Sequence, residues 1–334
     1  MYENDRIVTR SAMPRVAAPP FAMTATSSTA AAGRGRSPWA VHLKLVGMAA
    51  LWGGSWPCGR VLAQALPPLA AATWRFAIAL ALLLAWMQFD GGFDRLRRLT
   101  RRQWAGLAAG GAVGVFGYAM FFMLGLGHVA AGRAALVVTT NPVVTTLIAA
   151  WWFGERLNWR IGAGMALAAA GALIVMTHGA PWTLFAGSVG KGEALLLGCV
   201  VTWVAYTLIG RRLLAGIDAL TTTTVTAGFG LPMLAAAALA FEGPAAMAAP
   251  LAASTTTWVA LAFLAAGATV LAYAWYFEGV AALGAGAAAG YISLVPVFGV
   301  LFATLWLGEP VDASIAVGGA LAVAGMAMMN LARR

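Results

Sequence analysis

The sequence predicts an all-α integral membrane protein with ten transmembrane helices in two inverted five-helix repeats. Three observations predict it. First, the 334 residues are 61% hydrophobic and only 10% charged, with a mean hydropathy of +0.82. A soluble domain carries about a quarter of its residues as charges. Second, apolar segments long enough to cross a bilayer follow one another along the chain. Third, the chain repeats itself. Pro142, Gly154, Glu155, Gly164 and Gly171 recur 154 positions later as Pro296, Gly308, Glu309, Gly318 and Gly325.

Residues 1–37 stand apart. They are rich in Ala, Ser, Thr, Pro and Arg, and Pro14, Pro19 and Pro20 interrupt the apolar run that a secretory signal needs. A disordered basic tail is expected here, and Met13 and Met23 offer alternative starts. The first repeat, 40–177, then places helices at 40–62, 69–88, 103–126, 131–153 and 159–177. The second, 192–332, places them at 192–210, 219–241, 256–279, 286–307 and 313–331. Breaks carry proline, glycine or charge: Leu66-Pro67-Pro68 after the first helix, "DGGFDRLRRLTRR" after the second, "GERLN" after the fourth, "RRLLAGID" after the sixth, "EGPAAMAAP" after the seventh and "GEPVD" after the ninth. The seventh is the least regular, because "TTTTVT" is polar and Pro232 interrupts it.

Basic residues test the layout. With the N-terminus in the cytoplasm, 17 of the 21 Lys and Arg fall on the tails, the even-numbered gaps and the cytoplasmic starts of helices one and five. Arg95, Arg97, Arg98, Arg101 and Arg102 crowd the second gap, while Arg60, Arg133 and Lys191 lie on the other side and Arg75 sits within helix two. The bias predicts both termini inside and an even number of spans. Five helices per half is odd, so the halves insert in opposite directions. The net charge of +10 follows the loops, and no nucleic-acid partner is expected.

Residues shared by the halves are expected to serve the scaffold. Glu155 and Glu309 sit in matching Gly-Glu turns, and Asn158 and Asp312 are matching N-cap types for helices five and ten. Pro142 and Pro296 interrupt helices four and nine. Each is either a static kink or a hinge that lets half a helix move. Glycine and alanine stripes in helices three, five and ten let backbones approach. Residues that differ between halves are better candidates for specificity, as Asn141 is matched by Val295. The candidate cavity residues are Trp52, Trp56, Tyr118, Phe121, Asn141, Tyr206, Tyr273, Trp275, Tyr276, Tyr291 and Ser293. Trp151, Trp152, Trp159, Trp182, Trp258 and Trp306 fit an interfacial belt. Arg75, about two turns into helix two, either snorkels outward or faces the bundle.

Enzyme classes find little support. No nucleophile lies in a motif with His, three scattered histidines supply no metal site, and no P-loop is present. Cys58 and Cys199 sit inside apolar runs as packing residues. No cofactor and no metal is expected. No Asp or Glu falls mid-membrane, which disfavours a carboxylate proton relay.

Several stretches together resemble the EamA family of the drug/metabolite transporter superfamily, ten-helix bacterial type. They are "LWGGSW" in helix one, "WRFAIALALLL" in helix two, "GLGHVAAGRAALVVTTNPVVTTLIAAWWFGERLNW" in the first half and "YISLVPVFGVLFATLWLGEPVDA" in the second. The resemblance covers about residues 40–332. It implies a central cavity between the halves, alternating access, and export of amino acids, related metabolites or drugs across the inner membrane. His128 and Arg133 depart from the small or uncharged residues usual before helix four. Two alternatives stay open: import or exchange of a nucleoside- or vitamin-like metabolite, and a non-transporting scaffold or receptor. The expected partners are a small-molecule substrate and the lipid bilayer; a homo-oligomer is compatible with the sequence.

Overall fold

A computed structural model describes residues 38–154, 157–182 and 190–332. The expected N-terminal tail and Glu155 lie outside the described residues. Among the described residues ten long helices run in chain order: α1 Pro38–Ala65, α2 Pro68–Phe89, α3 Arg101–Leu126, α4 Ala131–Trp152, α5 Trp159–Met176, α6 Lys191–Leu213, α7 Ala219–Phe241, α8 Thr255–Leu283, α9 Gly286–Leu307 and α10 Ala313–Ala332. No strand occurs among the described residues. Nine of these helices, α2 to α10, are long and apolar enough to cross a membrane. The protein is therefore a multi-pass membrane protein. Helix α1 is long, at 28 residues, but carries Trp52, Gly53, Gly54, Ser55, Trp56, Pro57 and Arg60 within its run, which lowers its hydropathy. Its position explains the composition. It packs against α2, α3, α4, α8 and α9 and faces protein more than lipid.

Local chemistry sets the helix ends. Thr100 and Gln103 form a capping box at the start of α3. Asp218 starts α7 by accepting from Thr221 N–H at 2.9 Å. The threonine run that made this segment irregular in sequence is satisfied in part within the helix, since the buried Thr224 hydroxyl has no partner among the described residues. Thr222 and Thr226 donate to the carbonyls of Asp218 and Thr222, at 2.9 and 2.8 Å. This back-bonding hides those two hydroxyls from lipid. Asn158 accepts from Ile161 N–H at 2.8 Å to start α5, and Asp312 accepts from Ile315 N–H at 2.9 Å to start α10. Gly154 and Gly308 end α4 and α9 with the same left-handed φ of 67°. A side chain there would be strained, so glycine makes the turn.

The two halves interlock. Helix α1 lies against α8 and α9, α2 against α7, α3 against α6, and α5 against α10. The α5–α10 contact is the closest. A Cβ on Gly164 would lie 2.8 Å from Gly325 O, and one on Gly318 would lie 2.7 Å from Gly171 O. No side chain fits at that separation, so the two backbones touch directly.

Among the described residues four helices are not uniformly α-helical. Helix α3 is π-helical over Gly111–Gly117 and α8 over Phe263–Leu271. Helix α4 tightens to a 3₁₀ turn over Val138–Thr140, and α9 over Tyr291–Leu294. The tightened turns run into Pro142 and Pro296. A proline lacks the N–H that would bond the preceding turn, and its ring crowds that turn's carbonyl.

Candidate functional site

These irregular segments converge on one space. A cavity of about 290 Å³ lies among α1, α2, α3, α4, α6, α8 and α9, touched by Met326 of α10. Its volume sits at the lower end of the ~300–1,000 Å³ range of small-molecule sites. Pro142 and Pro296 both line it. So do Tyr118, which comes directly after the π segment of α3, and Tyr273, two residues past that of α8. A π segment adds a residue to a turn and rotates the helix beyond it, a device common at functional sites.

Aromatic rings form the walls. Trp52 meets Tyr273 edge-on at 5.3 Å between centroids, and its indole N–H donates to Ala268 O at 3.0 Å. That carbonyl belongs to the π segment. Trp56 packs on Phe122 at 5.1 Å, and Tyr118 on Trp203 at 5.6 Å. The small hydroxyls are mostly occupied by their own helices. Ser55 donates to Trp52 O at 2.5 Å, Thr139 to Leu136 O at 2.6 Å, and Thr207 to Trp203 O at 2.8 Å.

Arg75 faces the bundle rather than snorkelling outward. It lines the cavity, with its guanidinium 5.0 Å from the ring centre of Phe76 and 5.6 Å from that of Phe122. Among the described residues no carboxylate pairs with it.

Five of the expected cavity residues, Trp52, Trp56, Tyr118, Asn141 and Tyr273, border the space. The others point elsewhere. Tyr206 lies against Gly114, Phe121 against Gly198, and Trp275 against Gly47. Tyr276 is buried beside Leu45 and Met48 in a separate apolar cluster. Tyr291 pairs with His42 Nδ1 at 2.6 Å, and Ser293 donates to Gly290 O at 2.6 Å. Among the expected belt residues, Trp151, Trp152, Trp159, Trp182 and Trp306 are exposed, while Trp258 packs edge-on against Trp74 at 5.7 Å. The sequence reading missed Trp203, Thr207 and Phe122. A signal existed for Trp203, which stands 151 positions after Trp52 in the repeat.

Polar ties hold one end of the bundle. Glu309 does not stay within its own turn. Its carboxylate accepts from Ala131 N–H at 2.8 Å and Gly132 N–H at 2.9 Å, capping α4. Glu242 does the same for α2, accepting from Leu69 N–H at 2.8 Å and Ala70 N–H at 2.9 Å. A carboxylate suits a helix N-terminus, where unpaired N–H groups gather. Arg133 is buried beside them and bonds Val175 O, Ser314 Oγ and, at 2.7 Å, Asp312. The Ser314 hydroxyl first, then the Ile315 N–H and Arg133, hold the Asp312 carboxyl below the usual carboxylate range against a smaller opposing effect of burial. No group of three or more metal-ligating residues occurs among the described residues.

Stacked apolar helices around a polar-spotted cavity are the arrangement of a membrane transport protein. The chain belongs to the EamA-like transporter family, whose profile matches residues 39–177 and 190–331. An uncharacterized transporter of Bacillus subtilis, YyaM, is 26% identical over 287 residues, covering 86% of this chain and 92% of that protein. A probable terminal-alkyne amino-acid exporter of Streptantibioticus cattleyicolor is 30% identical over 308 residues, covering 88% and 93%. A crystal structure with 24% identity superposes with a TM-score of 0.60, covering 89% of this chain and 99% of that one, and supports the fold.

Proposed function

We propose that this protein is a secondary transporter of the inner membrane. It exports small organic metabolites, amino acids or related compounds among them, by alternating access. Ten spans form two inverted five-helix units, 40–177 and 192–332, with both termini in the cytoplasm. The observation that carries the reading is the meeting of matched irregularities on one cavity: Pro142 with Pro296, and Tyr118 with Tyr273. A static pore lining has no need of two helices weakened at the same depth.

The α5–α10 contact supports the inversion. Gly164 touches Gly325 and Gly171 touches Gly318, while the repeat pairs Gly164 with Gly318 and Gly171 with Gly325. Such a reciprocal pattern is what a two-fold axis between equivalent elements produces. The export reading draws on the relative named as a terminal-alkyne amino-acid exporter. Among the described residues no Asp or Glu lines the cavity, so movement runs without a carboxylate proton relay.

The test is efflux of radiolabelled amino acids from proteoliposomes. Substrate leaving faster than in empty vesicles, without an imposed pH gradient, supports the reading; movement no faster than leak points to a scaffold or receptor. The hinge has its own test. If Pro142→Ala and Pro296→Ala both turn over like the wild type, the prolines are static kinks.

A further inference from the structure

We propose that Arg75 is the anion-binding group of the cavity and that the carried molecule presents a carboxylate to it. This rests on the reading that the cavity is the transport site. Arginine stays charged under all working conditions. Burying such a cation without a partner is costly, and proteins normally pair it. Here the pairing is incomplete. Arg75 Nε is buried and has no hydrogen-bond partner. One terminal nitrogen reaches Thr269 Oγ1 only at 3.5 Å, the outer limit for such a bond. The aromatic faces of Phe76 and Phe122 stabilise the cation in part, but they leave its in-plane N–H donors open. A guanidinium edge with free donors matches a carboxylate with two parallel hydrogen bonds.

A second open group shares the cavity. Asn141 Oδ1 is also buried without a partner. It is an acceptor and calls for an N–H or O–H on the same ligand. The walls offered by Trp52, Trp56 and Trp203 accept an apolar or aromatic body. A carboxylate, a hydrogen-bond donor and an apolar body together describe an apolar α-amino acid or α-hydroxy acid. A cationic drug is disfavoured, because Arg75 would repel it with no carboxylate nearby to compensate.

Arg75 thus discriminates carboxylates from their neutral and cationic analogues. The protein in lipid nanodiscs is titrated with matched probes: L-phenylalanine, L-phenylalaninamide and phenethylamine; L-leucine and L-leucinamide; 3-phenylpropionate and its amide. The acids are expected to raise the melting temperature and to bind roughly tenfold to hundredfold more tightly than their amides or amines. Arg75→Gln removes that preference and Arg75→Lys keeps part of it. Unliganded Arg75→Gln melts no lower than the wild type, since an unpaired charge has left the interior. Amides or amines that bind as well as the acids, a panel in which no acid binds, or unchanged preference in Arg75→Gln each overturn the proposal. The two readings fail separately. Arg75-dependent binding without movement through proteoliposomes sinks the transport reading and spares the carboxylate site. Transport of L-phenylalanine by Arg75→Gln at the wild-type rate sinks the site and spares the transporter.

Discussion

The two ends of the bundle are tied in different ways. At the end where α4 begins, the ties run to backbone N–H groups and to a buried arginine, although Asp312 itself is 48% exposed. Glu309 and Glu242 fork onto backbone N–H groups of other helices, and Arg133, whose side chain is 7% exposed, pairs with Asp312. At the opposite end, where α1 begins, Lys44 pairs with Glu278 at 2.7 Å, but the side chains are 34% and 25% exposed. His42 pairs with Tyr291 at that end, and Arg95 bridges Asp90 at 2.6 Å and Asp218 at 3.2 Å, again with part-exposed side chains. The repeat sharpens the contrast. The position 154 residues after Arg133 is Ala287, and Asn158 caps α5 where Asp312 both caps α10 and holds Arg133. A carboxylate forked onto two backbone amides is held by two charge-assisted hydrogen bonds, whereas water and salt compete for a part-exposed pair of flexible side chains. The α1-start end is expected to be the easier one to part.

Substitutions at each end can break this contrast. Arg133→Ala leaves Asp312, Ser314 and the Val175 carbonyl without their shared donor, and we expect a loss of about 1–3 kcal/mol in thermal or denaturant unfolding, because Asp312 is reached by water. A loss no larger than that of Lys44→Ala would abolish the distinction. Glu309→Ala uncaps α4 and is expected to cost about 1–2 kcal/mol, with Glu309→Gln costing less because it keeps one acceptor. Asn158→Ala, which removes a cap bond and an exposed bond to the Ala332 carbonyl, should cost about 1 kcal/mol. Lys44→Ala should cost about 0–1 kcal/mol, and added salt should shrink even that.

The smallest effect is that of pH. Because the folded-state Asp312 carboxyl lies below its usual value, its contribution is complete above the unfolded-state value of about 3.9 and fades only as pH falls through the depressed one. Melting temperatures of wild type and Asp312→Asn should therefore keep a constant difference between about pH 5 and pH 8. A gap that closes within that window would remove Asp312 from the account.

The helices were legible because a bilayer demands about twenty apolar residues per span, and the chain marks each stop with proline, glycine or charge. The rotation of each helix was not. Tyr118 and Tyr273 are turned by π segments that leave no clear sequence signature. Tyr206, Phe121 and Trp275 went astray for another reason. Each found a glycine on a neighbouring helix and filled the hollow it leaves, a pairing between segments far apart in the chain. The rule that shared residues serve the scaffold does not keep them out of the cavity. Trp52 and Trp203, Pro142 and Pro296, and Tyr118 and Tyr273 are repeat-related, yet all border the cavity. A group near the middle of a duplicated bundle faces the same space from both copies.

The backbone contact between α5 and α10 bears on how the chain is made. Helix α5 leaves the ribosome well before α10, with its Gly164 and Gly171 face uncovered. Until the last span arrives, that face has only lipid against it. Assembly is thus closed from the far end of the chain, and a polypeptide stopped before residue 313 would hold nearly every span in the membrane yet lack the one that seals the fifth.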